Sequence, residues 1–225
     1  MPRSLVPFEV QNRVLRAGPT MRDPSLVERF SIYWRGCHWV FEGSLDAATG
    51  GIDLEIVFDE ELRPLRAWKR STRLGSKRPI TDIRAYDFQG PFVLLARRFG
   101  AEVLEGWRFK KAKPRLLLPP GRGGLSFVFW RLRLEVGERV REPALDLRGS
   151  FEKIRPLIVV RHPDRQDPEL GRVRVYAIDG REPVFADEQD LVVGDLAGLR
   201  PASLVKEELP PPIPREGPPR PELTP

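Results

Sequence analysis

The sequence has few of the residues that build disulfides, metal sites and nucleophilic centres. Its 225 residues include one cysteine, Cys37, and two histidines, His38 and His162. A single cysteine excludes an intramolecular disulfide, and no Cys/His spacing typical of a zinc site is present. Cys37 and His38 are neighbours in an expected strand, where they would point to opposite faces and could not act together as nucleophile and base. We therefore predict no catalytic dyad and no metal site.

Motifs that carry enzymatic chemistry are also missing. The sequence contains no G-x-S-x-G, no H-E-x-x-H and no Walker loop, and the glycines of residues 121–124 lack a βαβ context. The carboxylates of residues 59–61 lie in an expected hairpin turn, which indicates solvated surface. We predict that the protein is not an enzyme and uses no cofactor.

Long apolar runs are absent as well. No window approaches the roughly 18 consecutive apolar residues of a membrane helix, so we expect no transmembrane segment. The first 15 residues lack the apolar stretch of a secretory signal. Two localisations stay open: the cytoplasm, or the periplasm or cell envelope if a signal peptide is missing from this sequence.

Regular two-residue alternation is what the sequence has in abundance. In residues 30–58, Phe30, Ile32 and Trp34 alternate with polar neighbours, and Ile52, Leu54, Ile56 and Phe58 do the same after a turn at residues 46–51. This pattern predicts antiparallel strands joined by turns.

Similar runs of 6 to 9 residues, each followed by a turn signal, continue to about residue 193, and Asp179-Gly180 is typical of a type I′ hairpin turn. We therefore predict an all-β, mainly antiparallel fold. Its curved sheet would close into a barrel or half-barrel of about ten to twelve strands.

One segment favours a helix over a strand. In residues 125–136, Leu125, Val128, Phe129 and Leu132 follow the i, i+3, i+4, i+7 spacing of an apolar helical face. We predict a short helix of about two turns that plugs one side or mouth of the curved sheet.

Proline sets the boundaries of the predicted domain. Four prolines in residues 1–28 indicate an extended lead-in or at most an edge strand, and residues 29–205 form the barrel-like domain. Residues 206–225 are a proline-rich tail that we expect to be disordered, with eight prolines in the final sixteen residues. The tail is interpreted as a spacer or as a ligand for a proline-recognition domain.

Large aromatic side chains are the candidate ligand-binding residues. Most lie on the apolar faces of expected strands or on the expected helix, so they should converge on one side of the sheet. They would fill a packed core if the sheet closes, or line a cavity for an acyl chain if it stays open. The set is Trp34, Trp39, Phe41, Phe58, Trp68, Trp107, Phe127 and Phe129.

Basic residues outnumber acidic ones by 38 to 32, which gives a formal net charge of +6. Arginines are spread along the whole chain, so solvent-facing strand positions explain most of them. The strands that carry some of these basic residues would form a candidate basic face if they are neighbours in the sheet. Such a face could bind phosphates, anionic lipid or an acidic protein. Its members are Lys69, Arg70, Arg97, Arg98, Lys110 and Lys111.

Several short stretches together resemble uncharacterised bacterial cell-envelope proteins. They are Y-W-x-G at 33–36, F-E-G at 41–43, the hairpins at 54–66 and 173–185, and L-D-L-R at 145–148 after a short apolar segment. The fold of those proteins is similar to the half-open barrel of the outer-membrane lipoprotein carrier superfamily. The resemblance covers roughly residues 28–195 and implies a curved sheet whose concave, apolar side holds a lipid, with a short helix as lid. It carries over no functional residue, and the sequence departs from the pattern in lacking a signal peptide or lipobox.

The sequence therefore predicts a non-enzymatic binding protein that handles an apolar ligand or lipid. The alternative is a protein-interaction scaffold that uses the basic face and the proline-rich tail to hold a protein partner. Nucleic-acid or anion binding is the least favoured hypothesis.

Overall fold

Strands occupy most of the computed structural model, as the alternating pattern predicts. The structure describes residues 6–18, 21, 23–74, 79–90, 92–100, 102–109, 114–148, 153–181 and 183–204, with backbone alone at 102–109 and 204. The predicted tail and Lys110 and Lys111 lie outside these residues.

Fifteen strands and one α-helix are present in the described part of the chain. The strands are β1 (Val10–Ala17), β2 (Val27–Arg35), β3 (His38–Ala47), β4 (Gly50–Phe58), β5 (Pro64–Arg73), β6 (Ile80–Gln89), β7 (Phe92–Phe99), β8 (Glu102–Phe109), β9 (Leu116–Leu118), β10 (Arg139–Asp146), β11 (Lys153–Asp167), β12 (Gly171–Ile178), β13 (Val184–Ala186), β14 (Val192–Asp195) and β15 (Leu199–Pro201). The helix α1 spans Ser126–Leu132, directly after a 3₁₀ turn at Gly123–Leu125.

The strands form two sheets. The larger has nine strands in the order β15-β1-β2-β3-β4-β5-β6-β7-β8, and the smaller has six in the order β14-β13-β12-β11-β10-β9. Neighbouring strands are antiparallel except β9 and β10, which run parallel. The all-β, mainly antiparallel prediction is confirmed. The strand number exceeds the predicted ten to twelve, because β1 lies within the predicted lead-in and β15 follows residue 193, where the predicted runs end.

Two local expectations were wrong. Strand β1 lies within the predicted lead-in, and it pairs with β2 on one side and β15 on the other, so it is not an edge strand. Pro7 and Pro24 stand outside β1 and leave its backbone N–H groups free to pair. The polar sequence of residues 162–168, with prolines at 163 and 168, predicts a long loop, but residues 162–167 continue β11. A register shift between His162 and Arg165 accommodates Pro163.

The short helix is confirmed, and it lies deep in the molecule. Phe127 stacks on Phe58 of β4 with ring centroids 4.2 Å apart, and Phe129 stacks on Tyr176 of β12 at 3.9 Å. The indole N–H of Trp130 donates to the carbonyl of Gln189 over 2.6 Å. The helix therefore packs between the two sheets.

A buried carboxylate holds the loop that leads into the helix. Glu28 on β2 is 2% exposed, and its carboxylate oxygens accept hydrogen bonds from the backbone N–H groups of Arg122 and Gly123, each over 2.7 Å. Gly121 is needed beside it, because an added Cβ would lie 2.3 Å from the Glu28 Oε1. Desolvation raises the pKa of Glu28 above its ordinary value.

Candidate functional site

The two faces of the nine-stranded sheet have different surroundings. Because successive residues of a strand point to opposite faces, Phe30, Phe41 and Phe58 share one face, which we call the core face, and pack against the helix and the smaller sheet. Their neighbours Arg29, Ser31 and Val57 occupy the opposite face, which we call the cleft face.

A cleft of about 1300 Å³ lies against the cleft face. Residues from all seven strands β1 to β7 line it, from Val14 on β1 to Leu94 and Ala96 on β7. Seven flat strands spaced about 4.8 Å apart would be about 29 Å wide, so one cleft reaches all of them only if the sheet curls around it. The sheet is therefore a half-barrel, and the cleft is its hollow side.

The floor of the cleft is apolar and uneven. Strand register places Trp68 opposite Ala85, and Ala85 opposite Ala96, so one large ring stands beside two methyl groups. Val57 and Leu94 lie in the next row of the cleft face. Because Ala85 and Ala96 are much smaller than Trp68, they leave a trough beside the Trp68 ring, along the row that these three residues form.

A β-bulge adds to the apolar floor. Phe58 pairs with Pro64 and Val57 with Arg66, so Leu65 is an extra residue on β5. Leu65 and Arg66 both line the cleft as a result. Neither the bulge nor the alignment of Trp68 with Ala85 and, one strand further, Ala96 can be read from one strand at a time.

The walls of the cleft carry charges of both signs. Arg29 pairs with Asp46 at 2.7 Å and Arg35 lies 4.0 Å from Glu55. The charged lining residues are Arg13, Arg29, Arg35 and Arg66, together with Glu42, Asp53, Glu55 and Asp87. Four cations thus face four carboxylates, and the wall as a whole is close to neutral.

One wall contact has an electrostatic consequence. The hydroxyl of Tyr33 donates to Glu42 Oε1 over 2.6 Å. Partial burial, followed by this hydrogen bond and the nearby negative charge, raises the pKa of Tyr33 to about 12. Tyr33 is therefore a neutral donor at physiological pH, and it fixes the position of the Glu42 carboxylate.

Cys37 and His38 are closer than the strand pattern predicts. Cys37 lies in the turn before β3, so the expectation that the two side chains point apart was wrong. Its Sγ is 3.4 Å from His38 Nδ1 and 3.6 Å from Nε2; Cys37 is exposed, and His38 lines the cleft. Similar distances to both ring nitrogens place the sulfur beside the ring rather than in line with one nitrogen, which is poor geometry for proton transfer.

Two structural features are absent from the described residues. Among them, no three His, Cys, Asp or Glu side chains are grouped so that they could hold a metal ion. No helix in the described ranges has the length and apolar character needed to span a membrane.

The predicted aromatic residues do not share one cavity. Five of the eight are buried in the packed core on the side of the helix: Trp39, Phe41, Phe58, Phe127 and Phe129. Trp34 is 37% exposed and packs edge-on against Trp39. Trp68 alone lines the cleft among the seven whose side chains are described, since the side chain of Trp107 lies outside them.

The four predicted basic residues that the structure describes, Lys69, Arg70, Arg97 and Arg98, do not form one surface either. Lys69 and Arg70 are successive residues of β5 and point to opposite faces; Lys69 is buried and its Nζ donates to the carbonyl of Leu147 over 2.6 Å. Arg97 is held by Asp82, and Arg98 donates to the carbonyl of Gly100. Lys69, Arg97 and Arg98 therefore serve intramolecular contacts.

Comparisons with known proteins give one distant likeness. No protein-family model matches the chain, and no curated protein matches it in sequence. A crystal structure of a DUF1089 family protein from Pseudomonas aeruginosa is similar with a TM-score of 0.46 and 15% identity, covering 77% of this chain and 91% of that one. A likeness at this level carries no argument about function.

Proposed function

We propose that this chain is a non-enzymatic binding protein that holds an amphiphile in the cleft of its half-barrel. The observation that carries the proposal is an apolar trough beneath charged walls, within a cleft of about 1300 Å³. Pockets for drug-sized ligands hold roughly 300–1,000 Å³, so this cleft accommodates a larger molecule. The trough suits an apolar chain, because burial of apolar surface is favourable, and the walls suit a polar head group.

The resemblance of the sequence to envelope half-barrels supports a more specific form of the proposal. It suggests a lipid as the ligand and the bacterial cell envelope as the setting. The helix is not the lid in this proposal, because α1 packs on the core face and the cleft lies on the other side of the sheet.

Titration with a fluorescent fatty-acid analogue tests the proposal. Ala85→Phe would fill the trough beside Trp68, while Ala48→Phe adds the same ring at an exposed turn outside the cleft. We expect saturable binding by the parent chain and by Ala48→Phe, and at least about a tenfold loss of affinity in Ala85→Phe, equal to about 1.4 kcal/mol.

Circular dichroism of each variant separates lost binding from lost folding. The absence of saturable binding to the analogue by folded parent protein would overturn the proposal. Equal weakening in both variants would show that the probe binds somewhere other than the trough.

A further inference from the structure

The charge of the cleft differs from that of the whole chain. The chain carries a formal net charge of +6, whereas the four arginines and four carboxylates of the cleft wall cancel. A net-neutral wall adds no net attraction of its own for an anionic or a cationic head group. It favours a ligand that carries both charges or none.

One cross-strand pair in this wall offers both charges to a ligand. Arg66 on β5 and Asp87 on β6 are directly opposite in register, and both line the cleft. Directly opposite side chains have Cβ atoms about 4.5–5.5 Å apart, close enough for an ion pair. Within the described part of the chain they form none with each other: Asp87 Oδ2 accepts from the Gln89 side chain over 2.9 Å, and Arg66 extends into solvent.

The position of this pair connects it to the apolar trough. Trp68 follows Arg66 by two residues on the same strand, and Ala85 precedes Asp87 by two on the next, so all four side chains lie on the cleft face. Leu94 lies directly opposite Asp87. A ligand whose chain lies over Trp68 and Ala85 would therefore carry its head group to Arg66 and Asp87.

We propose that the cleft selects amphiphiles with a zwitterionic phosphoammonium head group, such as phosphoethanolamine or phosphocholine; this rests on the proposed function. The guanidinium of Arg66 binds the phosphate, because charge-assisted and bidentate hydrogen bonds suit that geometry. The carboxylate of Asp87 faces the ammonium group, which lies two carbons away from the phosphate. A purely anionic head would pair with Arg66 and be repelled by Asp87.

Paired phospholipid analogues test this selection. Each carries the same fluorescent chain, with phosphocholine on one and phosphoglycerol on the other, and the fatty-acid analogue reports whether the trough still binds an apolar chain. We expect the parent chain to bind the phosphocholine analogue about fivefold or more tightly than the phosphoglycerol analogue. Asp87→Asn should remove that preference by strengthening phosphoglycerol binding, and Arg66→Gln should weaken both phospholipids by about fivefold.

Arg141→Gln is the matched control, because Arg141 is exposed on β10 outside the cleft and its loss should change neither affinity. Equal affinity of the parent chain for the two head groups, or a preference that survives both cleft variants, would overturn the selection while the fatty-acid analogue still binds. Failure of all three analogues to bind would instead overturn the proposed function with it.

Discussion

The two faces of the nine-stranded sheet use the same strands for different purposes. On the core face, Phe58 is 3% exposed and stacks on the helix ring of Phe127. One residue earlier in the strand, Val57 is half-buried and lines the cleft. The difference arises because the helix and the smaller sheet cover only one side, so neighbouring residues of similar apolar character have unlike roles.

This difference predicts unequal sensitivity to substitution. A core side chain touches neighbours on all sides, so its removal leaves a cavity that the structure cannot refill. A cleft side chain already borders open space, so its removal disturbs less packing. Stability should therefore depend on the core face and ligand binding on the cleft face.

The largest expected effect is that of Phe127→Ala. Phe127 is in contact with Phe58, Phe41 and Trp130, and we expect a loss of about 3–5 kcal/mol in the free energy of unfolding. Denaturant titration measures it, with Phe92→Ala as the control because Phe92 is 38% exposed. Similar losses in the two variants would contradict the position of the helix between the sheets.

Acid should weaken the sheet that covers the core face. Burial alone would raise the pKa of Asp146, but hydrogen bonds from the side chain and backbone of Arg148 and from Arg155 lower it to about 2, below its ordinary value of 3.8. The stabilisation is therefore complete above pH 4 and disappears as the pH falls towards 2, by at most about 2 kcal/mol. Asp146→Asn should lack this part of the pH dependence. If the stability of Asp146→Asn falls with pH as steeply as that of the parent chain, the contacts of Asp146 with Arg148 and Arg155 are not the cause of the acid sensitivity.

An effect of comparable size is expected at the turn after β12. Asp179 and Gly180 have φ of 54° and 66°, the positive values of a type I′ turn, and an added Cβ at Gly180 would meet no atom within 4 Å. Gly180→Val should cost about 1–3 kcal/mol through backbone strain alone. Gly180→Asn should cost less, because asparagine tolerates positive φ. Equal losses in thermal unfolding would indicate that strain is not the cause.

The smallest loss of stability is expected on the cleft face. Trp68→Ser should lower the free energy of unfolding by only about 1 kcal/mol, because the ring is half-buried beside open space. The same variant should bind the fatty-acid analogue at least about tenfold more weakly. A stability loss comparable with that of Phe127→Ala would mean that the cleft is a second packed core.

Much of the fold could be predicted because it depends on local pattern. Alternation in β4, the i, i+3, i+4, i+7 spacing of α1 and the Asp179-Gly180 turn are each set by a few consecutive residues. Strand β15 was missed, since its three residues give no periodicity. The role of Glu28 was missed because the loop that its carboxylate binds begins more than ninety residues later.

The candidate site was predicted less well than the fold. The aromatic set was predicted from side-chain size and from alternation along each strand. Alternation correctly places Phe41 and Phe58 on one face of the sheet, but it does not show whether a helix or solvent covers that face. Trp68 lies on the opposite face of the sheet, and nothing in the sequence around Ala85 and Ala96 indicates that they lie beside it. Their trough exists only when the strands are in register.

By itself, the sequence determined that this chain forms antiparallel strands around one short helix, because periodicity and turn residues act over a few positions. Tertiary structure alone decided which face the helix covers, how far the sheet curls, and that Arg66 stands opposite Asp87 above the trough. These features depend on contacts between residues distant in sequence, and the physical reason is that alternation creates two faces while only packing chooses which of them becomes the core.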